Sequence, residues 1–164
     1  MTAESLQWDL WFAAARRAEV DDALRDLFRA MNADIAARKP VCDLSGRCCR
    51  FDTWGHQLYA TGLEIAWLLT QLDDSGRSRL RDAPLPQMDG CPFQVGKLCS
   101  VHTLRPIGCR VYYCDPNAQD WQGEVYERFL GELKQLHTRF AVEYRYMEWR
   151  RGLAEARDAS TLLS

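Results

Sequence analysis

The sequence lacks a long apolar run, a strong excess of one charge and a recognisable leader segment. Its most apolar stretch runs only from Ile65 to Leu69, whereas a helix needs about 20 apolar residues to cross a bilayer. The first residues, Met1 to Glu4, do not form the basic and apolar regions of a signal peptide. These absences predict a cytoplasmic protein with no membrane partner, in a reducing compartment where persistent disulfides are not expected.

No catalytic motif and no charge excess point to a reaction or to a polymeric partner. The 164 residues include 21 Lys and Arg and 23 Asp and Glu, with a net charge of −2. Because the basic residues are mixed with acidic ones, the sequence predicts no nucleic-acid partner. It contains no Ser-His-Asp arrangement, no phosphate-binding glycine loop and no His-Glu-x-x-His. Whether the protein is an enzyme, and which protein partner it has, stay open on this basis.

Cysteine is absent from residues 1–41 and from residues 115–164, so the thiols are confined to the middle of the chain. The seven are Cys42, Cys48, Cys49, Cys91, Cys99, Cys109 and Cys114. An odd count argues against a closed set of disulfides. Inert buried thiols are a weaker explanation for so many in one segment than a metal site. Glycine and proline flank several of them, and such backbones turn sharply enough to bring thiolates together around a metal.

Spacing alone does not identify the metal. No two cysteines are separated by two residues, so the familiar zinc-ribbon and ferredoxin patterns are missing. An iron–sulfur cluster, with the 4Fe–4S type favoured, is one prediction, for redox, catalytic or sensing use. Zinc or mononuclear iron is the alternative, and zinc would make the protein a structural module that mediates protein interaction. Cysteine redox chemistry without a metal is a third hypothesis, weakened by the lack of a CxxC pair.

Two local features bear on how the thiols would be used. In an extended segment Cys48 and Cys49 point to opposite faces, so one is expected to face the metal while the other packs inward or binds a second metal. The cations that flank cysteines are Arg47, Arg50, Lys97, Arg105 and Arg110. Arg105 and Arg110 are predicted to support the thiolates by stabilising their negative charge. For the other three, a role at the site and ordinary surface exposure are equally open.

Four motifs follow one another in the centre: Cys42-x-x-Ser45-x-x-Cys48-Cys49, Thr61-x-x-Glu64, Cys91-Pro92-Phe93, and the segment from Cys99 through Arg105-Pro106 to Cys109-Arg110 and Cys114. In this order they resemble the YkgJ-type CxxCxxCC cysteine-cluster family of zinc- or iron-chelating proteins. The resemblance covers about residues 42–114 and neither end of the chain. It implies that the protein chelates zinc or iron through these cysteines.

The sequence departs from that family at two positions. Ser45 stands where the family has its second cysteine, and a hydroxyl is a poor ligand for soft metals, so one centre is expected rather than two. His102 stands at the family's usual tyrosine, where it either replaces the lost ligand or fills the tyrosine's place. His56 is a weaker candidate ligand. His137, beside an apolar stripe, is predicted to be structural.

One centre does not need all seven thiols. The predicted ligands are Cys42, Cys91, Cys109 and Cys114, together with Cys48 or Cys49 if a fifth thiol is needed. Cys99 is expected to steady a hairpin or to exchange roles with a ligand.

Apolar periodicity predicts a mainly α fold in a single domain. Helical arms at residues 1–39 and 117–164 frame a cysteine-rich, irregular centre at 40–116, which holds a short β-hairpin and one helix. In the first arm the phase slips near Ala18–Asp21, so Asp21 caps a second helix or one long helix bends. The second arm carries one helical stripe: Tyr126, Phe129, Leu133, Leu136, Phe140, Tyr144 and Met147.

Local patterns add detail to the centre. Thr61 and Glu64 form the pattern of a capping box at the start of a helix over Gly62–Gln71. Residues 77–90 are predicted to be a polar loop. Gly96-Lys97 is the predicted turn of a hairpin between Cys91–Val95 and Leu98–His102. The two arms are expected to pack against each other, and the tail after Gly152 to be a frayed helix or disordered.

Overall fold

Helices make up most of this molecule, as the apolar periodicity predicts. The computed structural model describes residues 2–159. Within that range the α-helices are α1 Ala3–Ala15, α2 Ala18–Ala37, α3 Phe51–Trp54, α4 Gly62–Thr70, α5 Asp74–Asp82, α6 Ile107–Val111, α7 Gln119–Arg139 and α8 Trp149–Ala159. The strands are β1 Tyr59–Thr61, β2 Gln94–Val95, β3 Leu98–Cys99 and β4 Tyr146–Glu148. None of the helices in residues 2–159 has the length and apolar character to cross a membrane.

The N-terminal arm is two helices with a break ahead of Ala18, where the apolar phase slips. Arg17, which has extended backbone angles, precedes the first turn of α2. Asp21 lies inside α2, so the expectation that it caps the helix is wrong. Its carboxylate instead accepts a hydrogen bond of 2.6 Å from the indole N–H of Trp67 in α4. The helix α2 ends three residues before Pro40, because the residue ahead of a proline is disfavoured in helical geometry.

The centre of the molecule is α4, which is apolar on almost every side and correspondingly buried. Thr61 and Glu64 form the predicted capping box, in which each side chain bonds the other's backbone N–H. The helix α1 makes its closest approach there, because Trp11 packs against Gly62. A Cβ atom on Gly62 would lie 2.6 Å from the Trp11 ring, so only glycine permits this contact.

A short pair of antiparallel strands joins the centre of the molecule to the C-terminal part of the chain. Strand β1 pairs with β4, with Tyr59 opposite Glu148 and Thr61 opposite Tyr146. This pairing is not readable from local sequence, because both strands are three residues long and far apart in the chain. The predicted hairpin is present, but only Gln94–Val95 and Leu98–Cys99 pair, around a Gly96 with φ of 62°.

The prediction of a loop over residues 77–90 is wrong for its first part. Asp73 does not close α4 but caps α5, since its carboxylate accepts a 2.7 Å bond from the Gly76 N–H. The helix is polar apart from Leu80, which is fully buried. Its apolar periodicity is too weak to predict a helix, and one buried leucine anchors it to the core.

The C-terminal arm is helical as predicted, but its apolar stripe from Tyr126 to Met147 does not lie on one helix. The helix α7 ends at Arg139, and Ala141 then adopts a left-handed conformation with φ of 54°. Tyr144 and Met147 therefore lie beyond α7, with Met147 in β4. The chain then forms α8, so the prediction of a frayed or disordered tail is wrong up to Ala159. Residues 160–164, which the same prediction covers, lie outside the described residues.

The arms pack as expected, with α2 against α7, while α1 packs mainly on the central α4. The helix α8 completes the core by contacting both α1 and α4. The irregular segments that carry the cysteines meet α4 at Leu68 and α8 at Trp149.

Candidate metal centre

All seven cysteines line one cavity of about 150 Å³. Three parts of the chain bring the cysteines to its wall: the loop after Pro40, the β2–β3 hairpin with the residues before it, and α6 with the residues that follow it. Each of the seven is a free thiol. Cys42 and Cys48 are exposed, Cys91 is buried, and the other four are half-buried. The tertiary structure thus brings together thiols that are spread over 73 residues of sequence.

The first cysteine group consists of Cys42, Cys48 and Cys49. Its backbone turns sharply at Gly46, whose φ of 75° is left-handed. A 3-10 turn over Arg47–Cys49 follows. Because this turn is not extended, the expectation that Cys48 and Cys49 point to opposite faces is wrong. Their Sγ atoms lie 4.0 Å apart, and both side chains line the cavity.

Ser45, at the position where the resembled family has cysteine, also lines the cavity. Its hydroxyl accepts a 3.4 Å hydrogen bond from the Arg47 N–H, at the start of the 3-10 turn. Its own N–H donates to the Asp43 carboxylate at 3.1 Å. The serine therefore has a local structural role, and a cysteine there would place an eighth thiol on the same wall.

The second cysteine group, Cys91 and Cys99, is attached to the first mainly through the backbone. The Cys91 N–H donates to the Cys49 carbonyl at 2.9 Å, and Gln94 donates from its amide to the Gly46 carbonyl at 2.9 Å. Gly90 allows this approach, because a Cβ atom there would lie 2.1 Å from the Cys49 carbonyl oxygen. The two cysteine groups thus form one unit held by main-chain contacts.

Trp149 supplies the one described side-chain donor to a cysteine sulfur from outside the cysteine segment. Its indole N–H donates to the Cys91 Sγ at 3.4 Å, and both side chains are buried. Trp149 is the first residue of α8 and also lines the cavity. A hydrogen bond from an N–H group stabilises negative charge on the sulfur that accepts it, so this contact suits Cys91 as a metal ligand.

The third cysteine group is Cys109, which lies in α6, and Cys114, which follows it. The start of α6 is fixed by Glu64. The Glu64 carboxylate accepts from the Ile107 N–H at 2.9 Å and from the Thr61 N–H at 2.8 Å. It is buried, and that burial raises its pKa, although these hydrogen bonds act in the opposite direction. The Thr-x-x-Glu motif therefore does more than cap α4. It also holds the first turn of the helix that carries Cys109.

Four of the thiols have a raised pKa: Cys48, Cys49, Cys99 and Cys109. A hydrogen bond with Cys49, and then burial, raise the pKa of Cys48 well above its ordinary value. The same bond lowers the pKa of Cys49, but a bond with Cys91, burial and neighbouring thiols outweigh it and raise that pKa to about 12. Burial raises the pKa of Cys99 and of Cys109. A metal bound here must displace protons from these thiols.

Arg105 and Arg110, predicted to support the thiolates, have different environments. Arg105 lines the cavity, and its charge lowers the pKa of Cys48, Cys99 and Cys109. Arg110 does not line it. Its buried guanidinium donates to the carbonyls of Arg105 at 2.6 Å and Thr103 at 2.8 Å. Arg105 is thus adjacent to the thiols, whereas Arg110 holds the segment that carries Arg105.

The remaining cations and the histidines also divide into residues that line the cavity and residues that do not. Lys97 and His102 line the cavity, whereas Arg47, Arg50 and His56 do not. His56 stacks on Tyr112, with ring centroids 4.9 Å apart, and its Nε2 contacts the Cys48 carbonyl at 3.3 Å. His137 lies at the end of α7, buried and remote from the cysteine segment.

Sequence reasoning missed two residues that this geometry brings to the site. The sequence assigns Trp149 no role, because no local pattern marks a tryptophan at a helix start as the partner of a distant cysteine. Gln94 was missed for the same reason, since its contact spans 48 positions. The hairpin register places Gln94 opposite Cys99, which is the only local signal that it faces this region.

A mononuclear thiolate site requires donors that converge on one point. Four thiolates bound tetrahedrally at about 2.3 Å have sulfurs about 3.8 Å apart. Cys48 and Cys49 come near this at 4.0 Å. Within the described part of the chain, however, no group of three or more His, Cys, Asp or Glu residues is arranged to hold one metal ion. The donor set fits a thiolate centre in its chemistry, and it does not form a closed site for a single ion.

A scan against protein-family models and searches of curated proteins and solved structures found no match for this chain.

Proposed function

We propose that this protein binds an iron–sulfur cluster through its cysteines and uses it for redox, catalytic or sensing chemistry, with a 4Fe–4S cluster favoured. The observation that carries the proposal is that all seven cysteines, which are free thiols, line one cavity. Thiols that served only to pack a core would be distributed through it. Here they face the same space, and exposed Cys42 and Cys48 are among them.

The number of thiols around the cavity favours a cluster over a single ion. A cluster is held by four cysteines, each of which binds a different iron atom, so the sulfurs do not converge on one point. This agrees with seven thiols around one cavity. We propose that four of these seven thiols are the ligands, with Cys91 and Cys109 among them because they come from two different walls of the cavity.

The chain's own residues would hold and tune such a group. A bound cluster supplies one-electron chemistry, with a potential that depends on hydrogen bonds to the sulfurs and on solvent exposure. Trp149 would donate to the Cys91 sulfur, and the Arg105 guanidinium would offset negative charge on the thiolates. The reducing compartment that keeps these thiols available is, we propose, the cytoplasm.

Zinc is a second candidate because of one distance. The Cys48 and Cys49 sulfurs, 4.0 Å apart, lie near the separation expected for two ligands of one zinc ion. Closure of two more thiols onto the same point would give a structural site. The protein would then be a binding module whose cysteine segment folds only with the metal.

Anaerobic purification followed by measurement of iron, acid-labile sulfide and zinc per chain tests both candidates. Iron and sulfide in similar amounts, with broad visible absorption that bleaches on reduction, are the expected result. Zinc without iron would establish the second candidate instead. A colourless protein with none of the three, even after reconstitution with iron and sulfide, would overturn both.

A paired substitution links the metal to the cavity. Cys91→Ser together with Cys109→Ser removes one thiol from each of two walls, and the variant is expected to retain little metal because hydroxyls are poor ligands for soft metals. Circular dichroism of the variant separates metal loss from loss of the helical framework. Full metal content in a folded variant would exclude the cavity as the binding site.

A further inference from the structure

A second cavity, of about 410 Å³, lies directly beside the cysteine cavity. It is lined by the C-terminal end of α2 and by the segment from His102 to Arg110. His102, Arg105 and Tyr113 line both cavities, so the two spaces share a wall. A volume of this size lies in the range of small-molecule sites, which is about 300–1,000 Å³.

The charge of this second cavity is of one sign. Lys39, Arg105 and Arg110 line it, and no Asp or Glu does. None of these three cations takes part in an ion pair among residues 2–159. Arg25 and Arg38, by contrast, are paired with carboxylates. In a protein with a net charge of −2, an unpaired basic cavity is not explained by composition.

Both arginines keep N–H donors that have no acceptor among the described residues. Three of the five N–H groups of Arg110 bond to Arg105, Thr103 and Asn32, which leaves two. Arg105 uses two of its five, on the carbonyls of His102 and Cys109, which leaves three. Pairs of guanidinium N–H groups bind carboxylate or phosphate oxygens in parallel.

Burial makes the unpaired charge of Arg110 costly. The residue is 2% exposed. Its guanidinium carbon lies 4.1 Å from the centroid of the Phe28 ring, and the buried Glu64 carboxylate is an acidic group that acts on its charge. The Glu64 oxygens, however, bond to Thr61 and Ile107 rather than to a guanidinium. A buried cation without an ion-pair partner destabilises a fold unless a ligand or a partner offsets it.

We infer that the cavity lined by Lys39, Arg105 and Arg110 binds a small ligand through a carboxylate or phosphate group. The anionic group would lie between the two guanidiniums and the Lys39 ammonium. The rest of the ligand would extend along the shared wall at His102 and Tyr113, next to the thiols. That this ligand is the substrate or effector of the cysteine centre rests on the proposed function. Binding of the anion does not.

Calorimetric titration of the purified full-length chain tests the inference. Inorganic phosphate and succinate are the two probes, each added at constant ionic strength against sodium chloride. Saturable binding of one equivalent of either probe is expected, and the tighter probe identifies the ligand as a phosphate or a carboxylate. A response no larger than that of chloride would overturn the inference.

Two variants locate the site and one serves as a matched control. Lys39→Gln removes a cation of the cavity and is expected to weaken binding about tenfold, which corresponds to about 1.4 kcal/mol. Asn32→Asp places a carboxylate where the Asn32 amide oxygen now lies, 3.3 Å from Arg110. It is expected to abolish binding and to raise the melting temperature, because it pairs the buried cation. Lys134→Gln removes an equal charge from α7, away from the cavity, and is expected to bind as the unaltered chain does.

These outcomes distinguish the inference from the proposed function. Equal weakening in Lys39→Gln and Lys134→Gln would mean that only overall charge is sensed, and the inference would fail. Iron and sulfide in a chain that binds neither probe would support the proposed function and contradict the anion site. Anion binding to a chain that holds no metal would confirm the anion site. It would also exclude the proposal that the ligand is a substrate or effector of a metal centre. If both are present, a change in the cluster's electron paramagnetic resonance spectrum on adding the probe would establish that the two cavities are coupled.

Discussion

At the scale of single residues, Trp149 has the most direct effect on the cysteine cavity among the groups outside the cysteine segment. Its ring packs edge-on against Phe93, with centroids 6.5 Å apart, while its N–H reaches the Cys91 sulfur. The packing and the hydrogen bond therefore belong to different parts of one side chain. A substitution that keeps the ring and removes the N–H separates the two contributions.

We predict that Trp149→Phe weakens metal retention about 10-fold to 100-fold, the usual effect of losing a hydrogen bond to a ligand. Stability falls by about 1–2 kcal/mol from the lost volume. Metal release to a chelator and urea denaturation measure the two effects.

Trp8→Phe is the matched control for that experiment. Trp8 is fully buried, and its indole N–H has no hydrogen-bond partner among the described residues. The control is expected to lose a similar amount of stability and to release metal at the rate of the unaltered chain. Faster release in both variants would assign the effect to packing rather than to the N–H···S contact.

His137 provides a residue-scale prediction that does not involve the metal. Its Nδ1 lies 3.1 Å from the carbonyls of Val142 and Glu143, which fits a neutral ring that donates from Nδ1. Burial lowers its pKa from 6.5, and the two carbonyls only partly oppose this. The unfolded chain therefore binds a proton at a higher pH than the folded chain does.

This histidine is expected to make the protein less stable as the pH falls below about 6.5. The stability that it contributes is complete above that pH and declines until its own folded pKa is passed. The slope in this window is at most about 1.4 kcal/mol per pH unit. His137→Asn keeps a side-chain N–H donor but does not titrate. The difference in unfolding free energy between the two proteins should change between pH 7.5 and pH 5, as measured by urea denaturation, and parallel curves would contradict the assignment.

At the scale of elements, the attachment of the β2–β3 hairpin to the first cysteine loop depends on Gly90. Its backbone forms a bridge with Arg50, and the next residue, Cys91, bonds the Cys49 carbonyl. The space beside the glycine is filled by backbone rather than by a movable side chain. The two cysteine groups must separate if a side chain is added there.

Gly90→Ala is expected to lower the free energy of unfolding by about 1–3 kcal/mol, as overpacking does elsewhere. It should also reduce metal content, because it moves Cys49 away from Cys91. Denaturant titration and metal analysis provide the measurements.

Gly131→Ala is the control, since a Cβ atom there meets nothing within 4 Å in α7. This variant is expected to gain about 0.5–1 kcal/mol, because alanine favours the helix more than glycine does. An unchanged stability and metal content in Gly90→Ala would show that the loop and the hairpin are not held in this register.

At the scale of the whole molecule, Glu64 connects the central helix, the β1–β4 pair and the helix that carries Cys109. Its two carboxylate oxygens accept backbone N–H groups at Thr61 and Ile107, which are 46 positions apart. Buried donors that lose their acceptor cost about 1–3 kcal/mol each. The stability of the framework and the position of the third cysteine group therefore depend on one side chain.

Glu64→Ala is expected to destabilise the protein by about 2–5 kcal/mol, and Glu64→Gln by less, because the amide keeps one acceptor. Hydrogen exchange should show loss of protection at the Ile107 amide. Glu132→Ala, on the exposed side of α7, is the comparison and should stay within about 0.5 kcal/mol of the unaltered chain. A protected Ile107 amide in Glu64→Ala would mean that α6 is held by other contacts.

Where the local signal was strong, the sequence predicted the elements. The capping box at Thr61 and Glu64 and the turn at Gly96 are present, because each depends on a few adjacent residues. The end of α7 was missed because its left-handed residue is Ala141, where a glycine would have marked the boundary. The helix α5 was missed because it is polar and has a single buried apolar residue, Leu80.

By itself, the sequence determined that the chain is mainly helical, that its thiols are confined to residues 42–114, and that Arg105 lies among them. Composition, short-range periodicity and capping residues suffice for this. Only the tertiary structure decided that all seven thiols line one cavity, that Cys48 and Cys49 face it together, and that Trp149 reaches Cys91 across 58 positions. Those relations depend on the packing of α8 and on close backbone approach at Gly90, and long-range contacts of this kind have no local sequence pattern.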